Sequence, residues 1–198
     1  MTRKADEHPE EALFFRRWLA NPMKVGAVLP SSSQLARLVA RRARPGPGQC
    51  IVELGPGTGP VTRALLEGGV PANRLFVVEI DAALCGFLRR EFPDVAVIQG
   101  DARNLPELLP PEWVGKVACV VSGIPMLPLP IEVQRDLTRA AFAVMAPGGE
   151  IVQYTYSPAS PIKTKPLGLK GHREGWAILN FPPAWVWTYL PEPAPATA

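Results

Sequence analysis

The stretch Gln49–Pro60, QCIVELGPGTGP, decides the fold of this chain. Its first part, Cys50–Leu54, is a short apolar run and predicts a buried β-strand. Gly55, Gly57 and Gly59 follow at every second residue, directly before a helical pattern. Glycine permits positive φ and lets a ligand approach the backbone closely, so a strand that ends in such a turn predicts a cofactor site.

The charge of this turn restricts the kind of ligand. Glu53 lies inside the end of the strand, where its carboxylate would repel a pyrophosphate. The third glycine also comes one residue too early for the G-x-G-x-x-G pattern of dinucleotide sites. The stretch therefore favours a ligand that carries a positive charge and no phosphate. On this motif alone, an ordinary glycine turn in an α/β protein remains the alternative.

Two further predicted strands end in acidic residues. Leu75–Ile80 ends with Glu79, about 20 residues after the glycines, a distance at which an acid binds ribose hydroxyls. Val95–Gln99 is followed by Gly100 and Asp101. Each acid alone is more often a solvated cap than a ligand. Three strand ends in the correct order are much harder to explain without a ligand.

The pattern resembles motif I of the class I S-adenosylmethionine-dependent methyltransferases, whose cofactor carries a sulfonium and an amino group. The resemblance implies a Rossmann-like α/β fold, with a seven-stranded, mostly parallel sheet and helices on both faces. It implies S-adenosylmethionine as cofactor and S-adenosylhomocysteine as product, with the adenine amino group bound by an acid after the third strand. The implied cofactor-binding residues are Ser31, Ser32, Glu53, Gly55, Pro56, Gly57, Thr58, Gly59, Glu79, Ile80, Asp101, Ala102 and Ser122.

The predicted fourth strand, Lys116–Ser122, leads into the sequence SGIPM. This sequence resembles the N-[LIF]-P-[YF] motif of amine-directed methyltransferases such as the rRNA adenine dimethylases. The resemblance implies that the target amine is held by Ser122, Gly123, Ile124 and Pro125, through the carbonyls of Ser122 and Ile124 and the Ser122 hydroxyl. Serine replaces the asparagine of the motif, and Met126 replaces the aromatic residue, so a flat nucleobase would lack a stacking platform.

The N-terminal segment Pro9–Ala20 predicts an amphipathic helix. Its aromatic face with arginines at the margins is typical of a helix in an anionic membrane interface, although packing on the domain is the alternative. The candidate membrane contacts are Phe14, Phe15, Arg16, Arg17, Trp18, Leu19 and Lys24. We expect residues 1–33 to form this helix and a loop over the cofactor, 34–190 the methyltransferase domain, and 191–198 a disordered tail.

The C-terminal part supplies further candidate substrate contacts. Tyr154 and Tyr156, near the end of a predicted fifth strand, are candidates for a cation–π contact with a quaternary ammonium product, although such aromatics are more often core residues. A long loop is predicted over Ser157–His172, and its Lys163 and Lys165 are candidates for binding a phosphate. Two antiparallel strands, Trp176–Phe181 and Trp185–Leu190, are expected to close the sheet.

Composition limits the classes of protein that fit. The chain has 198 residues, a size that suits one α/β domain, and a net charge of +3. Seven of the residues from 10 to 44 are basic and two are acidic, which favours an anionic partner. Three cysteines at apolar positions indicate reduced core residues in a cytosolic protein. No signal peptide, membrane-spanning run or metal-ligand spacing is recognisable, and we expect no metal.

Most of the chain resembles the small bacterial phospholipid N-methyltransferases, which convert phosphatidylethanolamine stepwise to phosphatidylcholine. The resemblance implies a monomer that binds a phospholipid substrate and an anionic membrane surface, without nucleic acid, at the inner face of the cytoplasmic membrane. Three alternatives stay open. They are a methyltransferase for rRNA adenine or another nucleic-acid amine, an enzyme for ornithine lipids or soluble amines, and a non-catalytic cofactor-binding membrane protein.

Overall fold

The computed structural model describes residues 32–177 and 183–192. Seven strands form one sheet: β1 (Cys50–Leu54), β2 (Leu75–Glu79), β3 (Ala96–Gln99), β4 (Val117–Ser122), β5 (Met145–Thr155), β6 (Leu169–Ala177) and β7 (Ala184–Pro191). The α-helices of the described residues are α1 (Ser32–Arg42), α2 (Pro60–Glu67), α3 (Ala82–Glu91), α4 (Leu105–Leu108), α5 (Ile131–Ala143) and α6 (Thr164–Leu167).

The sheet has the strand order β3-β2-β1-β4-β5-β7-β6. Strands β1 to β5 are parallel to one another, and β7 runs antiparallel to both of its neighbours, β5 and β6. The predicted seven-stranded, mostly parallel sheet is therefore confirmed. β1 lies between β2 and β4 in the sheet. The chain leaves β1 towards β2 on one side and returns from β3 to β4 on the other, which leaves a crevice at the carboxyl ends of β1 and β4.

Both faces of the sheet are covered by helices. On one face, α1, α2 and α3 pack with the sheet around side chains such as Val39, Leu65 and Ile51. On the other face, α5 and the segment after β5 pack around side chains such as Leu137 and Tyr189. The central strands are buried on both sides, which explains why β1 and β4 are mainly apolar, with Glu53 the one charged residue in β1.

Two boundaries near the end of α5 differ from the prediction. The sequence predicted that this helix reaches Ala146 and that β5 begins at Glu150, after a Pro-Gly-Gly stop. In the structure α5 ends at Ala143 and β5 begins at Met145, with Gly148 at a φ of 79° inside the strand. A register shift between β4 and β5 accommodates the irregularity, so these glycines bend a strand and do not form a separate turn.

The predicted long loop Ser157–His172 is shorter than expected, because α6 and the start of β6 occupy its second half. The strand signal is weak here because β6 is an edge strand of the sheet and exposes Lys170, His172 and Arg173. Residues 178–181 of the predicted strand Trp176–Phe181 lie outside the described residues, and its first two residues, Trp176 and Ala177, end β6.

The segment between β5 and α6 is fixed by specific bonds. The Ser160 hydroxyl lies 2.8 Å from the Tyr189 hydroxyl, and Ile162 is buried in the core. The Lys163 backbone N–H donates to Gln134 Oε1 on α5 at 3.0 Å. The Gln134 side-chain amide also donates to the carbonyls of Met126 and Leu129, at 2.9 and 3.1 Å. One buried glutamine therefore joins two loops.

Among the described residues, no helix has both the length and the apolar character needed to cross a membrane.

Replacement of Gln134 by leucine should destabilise the protein by about 3 kcal/mol, because two carbonyls and one N–H would lose their partner in a buried site. The measurement is urea unfolding followed by circular dichroism. Arg139→Leu is the matched control, since Arg139 is exposed on the same helix. Equal unfolding midpoints for the two variants would contradict the role assigned to Gln134.

Candidate active site

The candidate site lies at the carboxyl ends of β1, β2 and β4. The Gly55 N–H donates to the Val78 carbonyl at 2.9 Å, and the Gly123 N–H donates to the Leu54 carbonyl at 2.8 Å. These two bonds extend the sheet ladders by one residue beyond the strands. The turns after β1 and β4 are therefore held next to each other.

The glycines after β1 adopt the conformation that the sequence pattern predicts. Gly55, Gly57 and Gly59 have φ values of 64°, 60° and 82°, in the left-handed region. A Cβ on Gly57 would meet no atom within 4 Å, so open space lies over this part of the turn. The turn leaves room for a ligand that contacts the backbone, next to the exposed Thr58 and the buried Pro56.

Glu53 is a buried carboxyl group beneath this turn, with 1% of its surface exposed. The Thr62 hydroxyl donates to Glu53 Oε2 at 2.7 Å, while Oε1 has no hydrogen-bond partner among the described residues. Burial raises the pKa of Glu53 to about 7, against the lowering effect of the Thr62 bonds. A cationic ligand group next to Oε1 would stabilise the carboxylate and complete its hydrogen bonding.

Glu79 ends β2 beside the same turn. Its Oε1 accepts from the backbone N–H groups of Ile80 and Asp81 at 2.8 and 3.0 Å. Burial raises the pKa of Glu79, while the N–H groups of Asp81, Ile80 and Gly57 oppose this shift. Oε2 is buried and unpartnered among the described residues, so it is free to accept a ribose hydroxyl.

Asp101 follows β3 at the outer end of the crevice. Its Oδ1 accepts from the Arg103 backbone N–H at 2.9 Å, and its Oδ2 accepts from the Arg103 guanidinium at 2.6 and 2.9 Å. The carboxylate is thus oriented and partly neutralised, but each oxygen keeps acceptor capacity. Ile80, next to Glu79 in the chain, is exposed and Ala102, next to Asp101, is buried, so an adenine ring bound by both acids would meet an apolar surface at Ile80.

The residues expected to hold the amine lie directly after β4, but two of their polar groups are already bonded. The Ser122 hydroxyl is buried and accepts from the Ile124 N–H at 3.3 Å. The Ile124 carbonyl accepts from the Gln153 side-chain amide at 2.9 Å. Met126 is buried with 3% exposure, so it offers no platform, and Pro125 is only partly exposed.

Sequence reasoning missed Gln153 and Gln134, whose side-chain amides donate hydrogen bonds to backbone carbonyls of the loop after β4. A glutamine inside an apolar strand or helix carries no local signal for its partner. Both bonds span sequence separations that only the fold reveals.

Tyr154 and Tyr156 lie at the carboxyl end of β5, as predicted. The Tyr154 ring packs against the core on the α1–α2 face, and Tyr156 is half exposed. Lys163 and Lys165 are both exposed at the end of the segment after β5. The structure brings the backbone of this segment to the first turn of α5, close to the loop after β4.

The predicted N-terminal contacts lie outside the described residues: Phe14, Phe15, Arg16, Arg17, Trp18, Leu19, Lys24 and Ser31. Ser32 begins α1.

The described residues include no group of three His, Cys, Asp or Glu side chains that could hold a metal ion. They do fit S-adenosylmethionine. Glu53 Oε1 is an unpartnered acceptor for a cation, Glu79 Oε2 is one for hydroxyls, and a Cβ on Gly57 would meet open space.

Comparisons with known proteins agree with this geometry. A family model described as a methyltransferase domain matches residues 51–149. The chain is 34% identical to an ornithine lipid N-methyltransferase of Singulisphaera acidiphila, over 74% of this chain and 78% of that protein. It is 40% identical to a ribosomal RNA small subunit methyltransferase A of Synechococcus sp., over 50% of this chain but only 33% of that protein.

The fold also matches solved structures. A 1,6-didemethyltoxoflavin-N1-methyltransferase of Burkholderia thailandensis, with bound S-adenosylhomocysteine, superposes with a TM-score of 0.66 at 13% identity. The match covers 98% of this chain and 93% of that one.

Glu79→Ala should lower the affinity for S-adenosylhomocysteine by roughly 100-fold or more, because hydrogen bonds to a carboxylate contribute about 1.5 to 3 kcal/mol each. Isothermal titration calorimetry measures the dissociation constant. Asp94→Ala is the control, since Asp94 is exposed before β3, at the opposite end of the strands. An unchanged constant for Glu79→Ala would show that another residue binds the ribose.

Glu53→Gln should remove part of the pH dependence of stability. The folded protein keeps the Glu53 proton up to a pKa of about 7, whereas the unfolded chain releases it near 4.5. The stabilisation by protonated Glu53 is therefore complete below the unfolded pKa and is lost as the pH rises through the folded one. Glutamine stays neutral throughout. Between about pH 5 and about pH 8, the free energy of unfolding of the variant should therefore rise by about 2 to 3 kcal/mol relative to that of wild type.

Urea unfolding of both proteins without cofactor, across this pH range, provides the measurement. A difference in unfolding free energy that stays constant with pH would refute the raised pKa of Glu53.

Sequence motif, strand order, unpartnered acceptors and family match all point to the same cofactor and the same reaction type. S-adenosylmethionine is the methyl donor. The chain belongs to the class I S-adenosylmethionine-dependent methyltransferases.

Proposed function

We propose that this methyltransferase acts on the amine of a lipid headgroup, and that phosphatidylethanolamine and its methylated intermediates are its substrates, towards phosphatidylcholine. One observation carries the lipid assignment. The relative named for a lipid amine is matched over 78% of its length, whereas the rRNA methyltransferase is matched over only a third of its length.

The acceptor side of the site supports an aliphatic amine. Between Ser122 and Leu129 the chain contains no aromatic residue, and Met126 is buried. The neighbouring Leu127 is 47% exposed, so the surface beside the transfer point is aliphatic. This loop offers a nucleobase no ring to stack on, whereas a lipid amine needs none.

The chemistry needs few catalytic groups. S-adenosylmethionine supplies an electrophilic methyl group when bound. A neutral amine in line with that methyl needs mainly positioning, which contributes roughly 7 to 11 kcal/mol in well-oriented reactions. Glu53 would hold a cationic group of the cofactor and Glu79 its ribose hydroxyls, and the residues after β4 would hold the amine.

Two lysines support a phosphate-bearing headgroup. Lys163 and Lys165 are exposed at the end of a segment whose backbone is bonded to the first turn of α5. Phosphatidylethanolamine carries a phosphate beside its amine, which these cations would attract. Ornithine lipid carries none, but the name of the relative makes it the second candidate substrate.

Membrane association is the remaining part of the proposal. The sequence of residues 9–20, with its Phe-Phe-Arg-Arg-Trp core, supports binding to the anionic inner face of the cytoplasmic membrane. The enzyme would act there as a monomer on lipids within the bilayer.

The deciding experiment follows methyl transfer from labelled S-adenosylmethionine to vesicles. One set contains phosphatidylethanolamine and a second contains ornithine lipid, each with and without an anionic lipid, and products are separated by headgroup. We expect label in mono-, di- and trimethylated phosphatidylethanolamine, at a higher rate with the anionic lipid.

Other outcomes each remove a part of the proposal. Label in ornithine lipid alone would replace the substrate and keep the lipid amine. Label only in RNA or a soluble amine would reject the lipid assignment. A rate that does not respond to the anionic lipid would reject electrostatic membrane binding.

A further inference from the structure

We infer that the Tyr154 hydroxyl accepts an N–H of the substrate amine and so directs the nitrogen lone pair at the methyl group. This inference rests on the proposed function only in that the acceptor is an amine. It assigns a catalytic role to a hydroxyl group that the family motifs do not predict.

The position of Tyr154 follows from the sheet register. Ser122 pairs with Gln153 across β4 and β5, so the next residues along both strands, Gly123 and Tyr154, lie side by side. A Cβ on Gly123 would lie 2.4 Å from Tyr154 Oη and 2.5 Å from the Gly55 carbonyl oxygen. The Tyr154 hydroxyl therefore lies against the backbone of both turns that form the crevice.

The strand pleat separates Tyr154 from the polar groups after β4. Ser122 and Gln153 point to the α5 face, where they line a void of about 10 Å³ together with Leu137 and Thr138. Tyr154 points to the opposite face, which it shares with Glu53 in β1. The Ser122 hydroxyl therefore points towards α5, whereas the Tyr154 hydroxyl lies beside the glycine turn after β1.

Among these groups, the Tyr154 hydroxyl is the acceptor that no other described residue uses. The Ser122 hydroxyl already accepts from Ile124, and the Ile124 carbonyl already accepts from Gln153. The Tyr154 hydroxyl has no hydrogen-bond partner within residues 32–177 and 183–192. Tyr154 as a whole residue is only partly buried, with its ring packed on the core.

A neutral phenol suits this role. Burial raises the pKa of Tyr154, and the nearby Glu53 raises it further, so the hydroxyl stays protonated. Its oxygen can accept an N–H without taking the proton. The amine lone pair forms the new N–C bond while the C–S bond breaks and its electron pair passes to sulfur. The proton of the resulting ammonium group then leaves to water, and Tyr154 is unchanged.

The number of N–H groups on the substrate gives a specific consequence. A primary amine carries two, a monomethylated amine one and a dimethylated amine none. An N–H acceptor can therefore assist the first and second transfers but not the third.

The test compares the full chain with Tyr154→Phe, which keeps the ring and removes only the oxygen. Substrates are vesicles of phosphatidylethanolamine and its mono- and dimethylated forms, with labelled S-adenosylmethionine. We expect kcat to fall roughly 10-fold on the first two lipids, the loss of about one hydrogen bond in the transition state. On the dimethylated lipid kcat should be unchanged, as should the dissociation constant for S-adenosylhomocysteine.

An equal loss on all three lipids would overturn the inference, because it would point to a general structural effect. An unchanged kcat of Tyr154→Phe on the primary amine would also overturn the inference. If wild type adds only one methyl group, this measurement on the primary amine is sufficient by itself to decide. If wild type labels ornithine lipid instead, the same series on that lipid tests Tyr154 while the phosphatidylethanolamine assignment fails. If wild type labels no amine, the proposed function fails and the role of Tyr154 with it.

Discussion

The Gly55 carbonyl oxygen and the Cα of Gly123 approach so closely that no side chain fits between the turns after β1 and β4. The parallel pairing of β1 with β4 imposes this contact, because backbone N–H bonds continue one residue past each strand. The turns after β1 and β4 therefore form one backbone unit. Because no side chain fits between these turns, side chains that act at the site must come from the strands: Glu53 from β1, Glu79 from β2 and, in our inference, Tyr154 from β5.

Electrostatics give this unit its ligand preference. Two buried carboxyl groups, Glu53 and Glu79, each keep one oxygen without a partner among the described residues. An unpaired buried acceptor destabilises the free protein by about 1 to 3 kcal/mol. A ligand that brings a cation and hydroxyl groups removes this cost on binding. The same groups that weaken the free protein thus contribute to affinity, which is common at functional sites.

The central part of the fold and the cofactor site could be predicted from sequence because their signals are local. Strand β1 was predicted at its observed bounds, since a buried parallel strand is a continuous apolar run. The outer strand β6 was partly missed because its polar residues resemble a loop. The orientation of Ser122 and the bonds of Gln153 could not be predicted, since they depend on strand register and contacts distant in sequence.

Gln134 has a consequence for how the substrate specificity of this scaffold can change. Its side chain bonds both the loop after β4 and the segment that leads to the lysines after β5. In the proposed function these are the wall beside the amine and the wall that carries positive charge, and one side chain couples them. We expect a redesign that widens one wall for a larger headgroup to shift the other, so the two walls would have to be redesigned as a single element.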